Sequence, residues 1–295
     1  MSKPDISVIV VNWRVRDLLE KCLFSIEKHA KNANIEVLVV DNDSRDGTSE
    51  MIMVEHSYVR MIALPKNEGF ATANNLAFKQ ARGRYMFLLN PDTEITENFF
   101  EDMLAYMDDH PAVGILGPKI FNPDGSTQMS VRKFPDLLSQ IFIMLKLRNI
   151  LVDSKLLNNY LLSDFDYEKE QSVHQVMGAA MMIRCEVLEK IGHLDEGFFI
   201  WFEEVDFCKR ARQAGFEIKY FPKAKVIHIG GSSFNKALAL RKQLIFDQSL
   251  LYYFWKHKPL YQWLIILIII PINLFLTVLY VIFIKNKNKY KQYLA

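Results

Sequence analysis

Three runs of this chain, ISVIVVN (6–12), IEVLVVDN (35–42) and YMFLLN (85–90), are apolar almost residue for residue. A strand wetted on one face alternates polar and apolar side chains, so a run without alternation is buried on both faces. Such strands belong to sheets covered on both sides by helices. The covering segments are present in between. RDLLEKCLFSIEKHA (16–30), TSEMIMVEH (48–56), ATANNLAFKQAR (71–82) and ENFFEDMLAYMDDH (97–110) have helical spacing, and VRMIALP (59–65) and VGILGPKIF (113–121) read as further strands. The alternation predicts an α/β protein with a mostly parallel sheet and helices on both faces.

Between 134 and 175 this pattern lapses. LLSQIFIMLKLRNIL (137–151) reads equally as a packing helix or as an amphipathic segment touching membrane. Order returns with a strand at 176–184, a short helix from Cys185, a helix over 198–215 ending at Gly215, and two short strands within 217–231. Residues 236–258 form an amphipathic lead into WLIILIIIPINLFLTVLYVIFI (263–284), which carries no charge. At the helical rise that stretch is roughly 33 Å long, enough to cross a bilayer core. Aromatic residues precede it and lysines follow, as interface anchors do. Pro271 and Asn273 leave two forms open, a single helix or a re-entrant hairpin.

Charge fits a membrane-proximal tail. Of 36 basic residues, six are lysines beyond Trp255, where no acid occurs, leaving 30 basic and 34 acidic residues before them. An acidic body with a basic tail fits anionic lipid and gives no nucleic-acid surface. The three cysteines are widely spaced and predict neither disulfides nor zinc, as expected of a reducing, cytosolic setting. No long apolar run follows a basic start, so no signal peptide is expected.

In a parallel sheet ligands bind outside the carboxyl ends of the strands. Those ends carry Asn12, then Asp41 with Asp43, then Asn90 with Asp92. One acid at a strand end is commonly a turn former or helix cap; three polar tips on one sheet edge suggest a site. Neither GxGxxG nor GxxxxGK[ST] occurs, nor do HExxH or GxSxG. Without a glycine-rich cradle a bound diphosphate needs a divalent cation, and hard cations take carboxylate oxygens.

Seven motifs occur in order: VIVVNW (8–13), VVDNDSRDGT (39–48), KNEGFATANN (66–75), LLNPDTE (88–94), GAAMMIR (178–184), FIWFEEVDFCKR (199–210) and HIGGSS (228–233). Together they resemble the inverting family 2 glycosyltransferases of GT-A fold, most closely the rhamnosyltransferase-like branch, over about residues 5 to 235. The resemblance implies a Rossmann-like GT-A domain (1–235), a juxtamembrane helix (236–258) and a membrane segment with a basic tail (259–295). It implies that Asp41 bonds the nucleotide base, and that Asn12, Asp43, Asn67, Gly69, Asn74 and Asn90 line the nucleotide. It further implies that Asp92 and His228 hold Mg²⁺ or Mn²⁺. Asn90 stands where the family's DxD motif has its first acid. An acidic pair supplies the base, here Glu204, with Trp201, Glu203 and Arg132 towards the acceptor; Arg132 reads equally as a surface arginine.

If 198–215 is helical throughout, Phe198, Trp201, Val205 and Cys208 share one apolar stripe. Glu204 then borders the buried side and Glu203 faces solvent; the alternative is that the acids pair with Lys209, Arg210 or Arg212 on a solvated face, which the spacing permits only for Glu203, with Arg210. The implied function is transfer of rhamnose or a related sugar from a dTDP- or UDP-linked donor to a polyprenyl-diphosphate-linked glycan. The chain would sit on the cytoplasmic face of the cell membrane. The rivals are a non-catalytic sugar-nucleotide-binding membrane protein, which Asn90 favours, and a nucleotidyltransferase, which lacks its phosphate loop here.

Overall fold

The structure, a computed structural model, describes residues 3–30, 32–147, 154–230 and 239–284. The first half alternates as the apolar runs require: β1 (Ile6–Asn12), α1 (Arg16–His29), β2 (Ile35–Asp41), α2 (Thr48–Glu55), β3 (Val59–Ala63), α3 (Phe70–Phe78), β4 (Tyr85–Leu89), β5 (Thr93–Ile95), α4 (Phe99–Asp109) and β6 (Val113–Phe121). An excursion follows: β7 (Val131–Arg132), α5 (Leu137–Met144), α6 (Lys155–Leu161), β8 (Gln171–Ser172) and β9 (Gln175–Val176). The chain then returns through β10 (Ala180–Arg184), α7 (Cys185–Ile191), α8 (Glu203–Gln213) and β11 (Glu217–His228), and ends in α9 (Ala239–His257) and α10 (Leu260–Ile284).

The main sheet runs β3-β2-β1-β4-β10-β6-β11-β5, with β8 added beside β11. β3, β2, β1 and β4 are parallel, as are β6 and β11. β10 lies antiparallel between β4 and β6, so the sheet is mixed. A crossover helix normally feeds a parallel strand. β10 is instead fed by the small β7–β9 ladder, which frees its direction. The carboxyl ends of β1, β2, β4, β6 and β11 therefore share one edge with the amino end of β10.

Alternate residues of β1 enter opposite cores. Ile6, Val8 and Val10 pack with α1, α2 and α4. Ile9 and Val11 pack with α3, α7 and α8. Every residue of β1 is buried, as a run without alternation demands.

Two expectations on the return path are corrected. Residues 217–228 form one twelve-residue strand, not two short ones; its register slips between Phe221 and Lys225, around Pro222, which has no amide to give the ladder. The run at 176–184 is broken instead, between β9 and β10, at a turn in which Ala180 N donates to Met177 O.

α9 and α10 form an antiparallel helical hairpin about Lys258 and Pro259. Asn273 donates to Asp247 at 2.7 Å and Thr277 to Gln243 at 3.5 Å. α10 runs unbroken through Pro271, so a re-entrant reversal inside it is not found. Its 22-residue stretch Leu260–Val281 is apolar and long enough to cross a membrane. α5 covers only part of 137–151, from Leu137 to Met144, and packs against α10; residues 148–151 lie outside the described set, as do 231–238 and the basic tail from 285.

Candidate active site

The site is assembled along that shared edge. Asn12 and Asp41 are register partners at the ends of β1 and β2. Asn12 is fully buried, and its amide lies 3.1 Å from Asp41 Oδ1, 3.0 Å from Ser44 Oγ and 3.0 Å from Thr48 Oγ1. Ser44 N donates to Asp41 Oδ2. Asn12 thus orients Asp41, while its own Oδ1 has no hydrogen-bond partner among the described residues. Asp41 opens onto a cavity of about 350 Å³, lined also by Asp43, Arg45, Thr48, Ser49 and Leu64. Asp43 is left-handed, φ 61°, and its carboxylate accepts from Arg45 Nε at 2.6 Å.

Asn67, Gly69 and Asn74 lie on the next wall. Asn42 clamps this segment to β2: its amide donates to Gly69 O, and its Oδ1 accepts from Glu68 N. Asn67 Oδ1 accepts from Gly69 N at 2.9 Å. Gly69 has φ 88°, and a Cβ there would lie 2.5 Å from Phe199 O, so only glycine fits. Asn74, in α3, donates back to Phe70 O and leaves its buried Oδ1 without a partner among the described residues.

β4 ends in Asn90 and Asp92, and β11 brings His228 alongside. His228 Nε2 is 3.3 Å from Asp92 Oδ1 and 3.3 Å from Asn90 Nδ2. Its protonation pattern follows from its other partner. Gln128 Nε2 donates to Asn122 Oδ1 at 2.8 Å and to His228 O, which turns Gln128 Oε1 towards His228 Nδ1 at 2.7 Å. Nδ1 therefore carries the proton in the neutral ring, and the Nε2 lone pair faces the Asp92 carboxylate. Two acceptors turned on one point suit a cation, and the imidazole–carboxylate set suits a divalent metal with its second nitrogen oriented by an amide. No cluster of three or more acidic, histidine or cysteine ligands occurs among the described residues. An ion here would complete its shell from a bound diphosphate and water, as Mg²⁺ commonly does.

The acidic pair departs from expectation. α8 begins at Glu203 rather than Phe198, because Trp201 (φ 66°) and Phe202 (φ 70°) are both left-handed. Such backbone costs on the order of 1–3 kcal/mol per residue and persists only where packing enforces it. Here the Phe202 ring is packed between Phe246 and Tyr253 of α9, and Trp201 meets Phe246 edge to face. The wheel drawn from Phe198 is therefore wrong. Glu203 is the buried member, at 4% exposure, and Glu204 is half-buried. Arg210 pairs with Asp206 at 2.7 Å, not with Glu203.

Both glutamates keep one carboxylate oxygen, Oε2, buried and without a hydrogen-bond partner among the described residues. Burial raises the Glu203 pKa well above the carboxylate range, and the charge of Glu204 adds to it. Burial raises Glu204 as well, while backbone amides and the Arg132 guanidinium pull it back. Glu204 runs beside Gly178, where an added Cβ would sit 3.4 Å from its own Cβ. The next residue, Ala179, accepts from Asn90 N at 2.9 Å, so the turn before β10 joins Glu204 to the Asn90–Asp92 edge. Arg132, at the end of β7, and Tyr160, in α6, stand on the far side of Glu204; its charge and that of Arg132 both reach the Tyr160 hydroxyl.

The structure brings Asn12 together with Asp41, and Asn90 and Asp92 together with His228, at the carboxyl edge of the sheet; Asn67, Gly69 and Asn74 lie in and before α3, Arg132 lies on the separate β7–β9 ladder, and Trp201 meets Phe246 of α9. Asn42, Gln128, Gly178 and Asp206 were missed. Only Asp206 carried a signal, its i,i+4 spacing to Arg210.

An α/β sheet with acids at its carboxyl edge, a histidine facing one of them and a buried acidic pair opposite is laid out as a glycosyltransferase of GT-A fold. The chain belongs to glycosyl transferase family 2, whose profile matches residues 7–192. The N-acetylglucosaminyl-diphospho-decaprenol L-rhamnosyltransferase of Mycobacterium tuberculosis is 26% identical over 236 residues, 75% of each chain. The low-salt glycan biosynthesis hexosyltransferase Agl10 of Haloferax volcanii is 26% identical over 230 residues, 76% of this chain and 67% of that one. A mannosyltransferase from Pyrobaculum calidifontis, solved with GDP-Man and Mn²⁺, superposes with a TM-score of 0.58 at 17% identity, over 95% of this chain and 74% of that one.

Proposed function

We propose that this glycosyltransferase inverts the sugar it transfers, taking it from a nucleoside diphosphate donor to a glycan carried on a polyprenyl diphosphate. On this reading residues 1–235 are the catalytic domain, 236–258 the juxtamembrane part and 259–295 the membrane segment with a basic tail, with catalysis at the cytoplasmic face of the cell membrane. The observation that carries the reading is the facing pair of acceptors, His228 Nε2 and Asp92 Oδ1, joined through Asn90 and the Gly178–Ala179 turn to Glu204. Rhamnose or a related sugar is the favoured cargo, supported by the name of the mycobacterial relative.

Asp41 accepts from the nucleotide base, with Asn12 holding its carboxylate in place. Asn67, Gly69 and Asn74 wall the nucleotide. Asp92 and His228 are the residues that would hold a Mg²⁺ or Mn²⁺, which would supply positive charge against the leaving diphosphate. Asn90 contributes an amide where a second acid would stand, so Asp92 supplies the anionic charge. Glu204, raised by burial towards the value a base needs, takes the proton of the acceptor hydroxyl. The oxygen so freed attacks the anomeric carbon opposite the departing diphosphate. Arg132, beside Glu204, steadies the base against its own desolvation or meets acceptor phosphate.

Calorimetric titration of the full chain in mild detergent tests this, using dTDP-rhamnose, UDP-galactose and UDP-N-acetylglucosamine, each with and without Mn²⁺. One donor binding only with the metal is expected. Equal binding without it would move the account to the non-catalytic reading.

A further inference from the structure

Asp206 belongs neither to the metal edge nor to the acidic pair, yet it is the most enclosed charge near them. It is fully buried in the first turn of α8, one turn along from Glu203. Its carboxylate accepts from Arg210 Nε at 2.7 Å, from Lys256 Nζ at 2.8 Å and from His257 Nε2 at 2.6 Å. Burial alone would raise its pKa; the bonds to His257, Arg210 and Lys256 outweigh that and hold it at about 2.

Two of those three partners come from the last turn of α9, the helix that leads into the apolar α10. The same helix moulds the whole approach to α8. Tyr252 donates to Asp195, and its ring stands where a Cβ on Gly197 would clash. Ser249 donates to Ile200 O at 2.8 Å, and Phe246 and Tyr253 hold the left-handed Phe202. The opposite side of this loop meets the donor wall, where Phe70 N donates to Phe199 O at 2.7 Å. The loop is therefore clamped between the donor wall and α9.

We propose that Asp206 is a positioning residue that latches the catalytic helix onto the membrane-side hairpin. The start of α8, and with it the placement of Glu204 against Gly178, depends on α9 being docked. The inference rests on Glu204 as the base. It makes the α9–α10 hairpin part of the active site rather than an anchor alone: loosening it slows transfer without weakening the donor.

The full chain in detergent is compared with D206N, K256M, the double variant and E204Q. Three readouts are taken: hydrogen exchange of the amides at 202–206, donor affinity by calorimetry, and release of nucleoside diphosphate from the donor that binds. D206N and K256M are each expected to speed exchange at 202–206 at least tenfold and to lower turnover about tenfold, with donor affinity within twofold. Lys256 Nζ also pairs with Asp195, so the double variant is expected to add to D206N only the loss of that second bond. Should D206N fail to fold, K256M alone decides by the same readouts, since Lys256 is partly exposed. Unchanged exchange, or a donor affinity that falls in step with turnover, would overturn the latch. E204Q at full turnover would instead remove the base assignment and leave the exchange result standing.

Discussion

The two halves of the site are built differently. The donor half is made of strand ends held by neighbours on the same sheet edge: the Asn12 amide meets Asp41, Ser44 and Thr48 beside the next strand, Ser44 N donates to Asp41, and Asn90 N donates to Ala179 O beside β10. Its partnerless buried atoms there are neutral amide oxygens, on Asn12 and Asn74. The acceptor half is assembled from afar. Glu204 is set by Gly178, Arg132 and, through Phe202 and Asp206, by α9 some fifty residues on. Its partnerless atoms are carboxylate oxygens in left-handed surroundings. A pocket that must only bind is satisfied by its own sheet edge. Glu204, the base under the proposal, is held desolvated, and the left-handed residues before it are packed against α9.

That contrast can be broken most sharply at the base. Glu204→Gln keeps the shape and removes the proton acceptor, so turnover should fall by about 10²–10⁴-fold while the donor binds as before. The wild-type rate should rise with pH through the raised pKa of Glu204, because only the ionised carboxylate accepts a proton. A flat profile from pH 5 to 8 would set the base elsewhere.

On the donor side Asp92→Asn should abolish the difference between donor titrations run with and without Mn²⁺, and should slow transfer as the leaving diphosphate loses its counter-charge. Gln128→Met, which removes the group that fixes the His228 tautomer, should weaken Mn²⁺ by about 10–100-fold. If metal affinity is unmoved, His228 is not oriented as described.

Gly69→Ala probes the seam between the halves. The added methyl meets Phe199 O, and the positive φ disfavours any side chain, so stability should drop by about 1–3 kcal/mol in a detergent denaturation curve.

The smallest effect is expected in the helical hairpin. Burial raises Asp247 to about 6, partly offset by amide bonds from Gln243 and Asn273. A carboxyl with a raised folded pKa favours the folded state fully only below its unfolded value near 4, and that contribution is lost as pH rises through about 6. Asp247→Asn should therefore raise the melting temperature by a few degrees at pH 8 and leave it unchanged at pH 4.

The same contrast explains what could be read from the sequence. Strands of uninterrupted apolar residues declared a sheet covered on both faces, and their polar tips declared the donor edge. β1 and β6 begin and end where the sequence reading places them. The direction of β10 was not legible, because it depends on how a forty-residue excursion returns. The start of α8 was not legible either: a helical wheel assumes uniform backbone, and Trp201 and Phe202 leave the helical region to fill a pocket on α9. For that reason the exposures of Glu203 and Glu204 came out reversed, although the motif still pointed to the pair. Asp206 was not singled out in the sequence: beyond Arg210 at i,i+4, its partners Lys256 and His257 are about fifty residues away.

The division between binding and proton transfer is tested most directly by measuring donor affinity and transfer rate together on Glu204→Gln, in the presence of Mn²⁺. The account predicts a donor dissociation constant within about twofold of the wild type and a rate reduced at least a hundredfold. Full turnover, or a rate that falls only as far as donor affinity does, would contradict it.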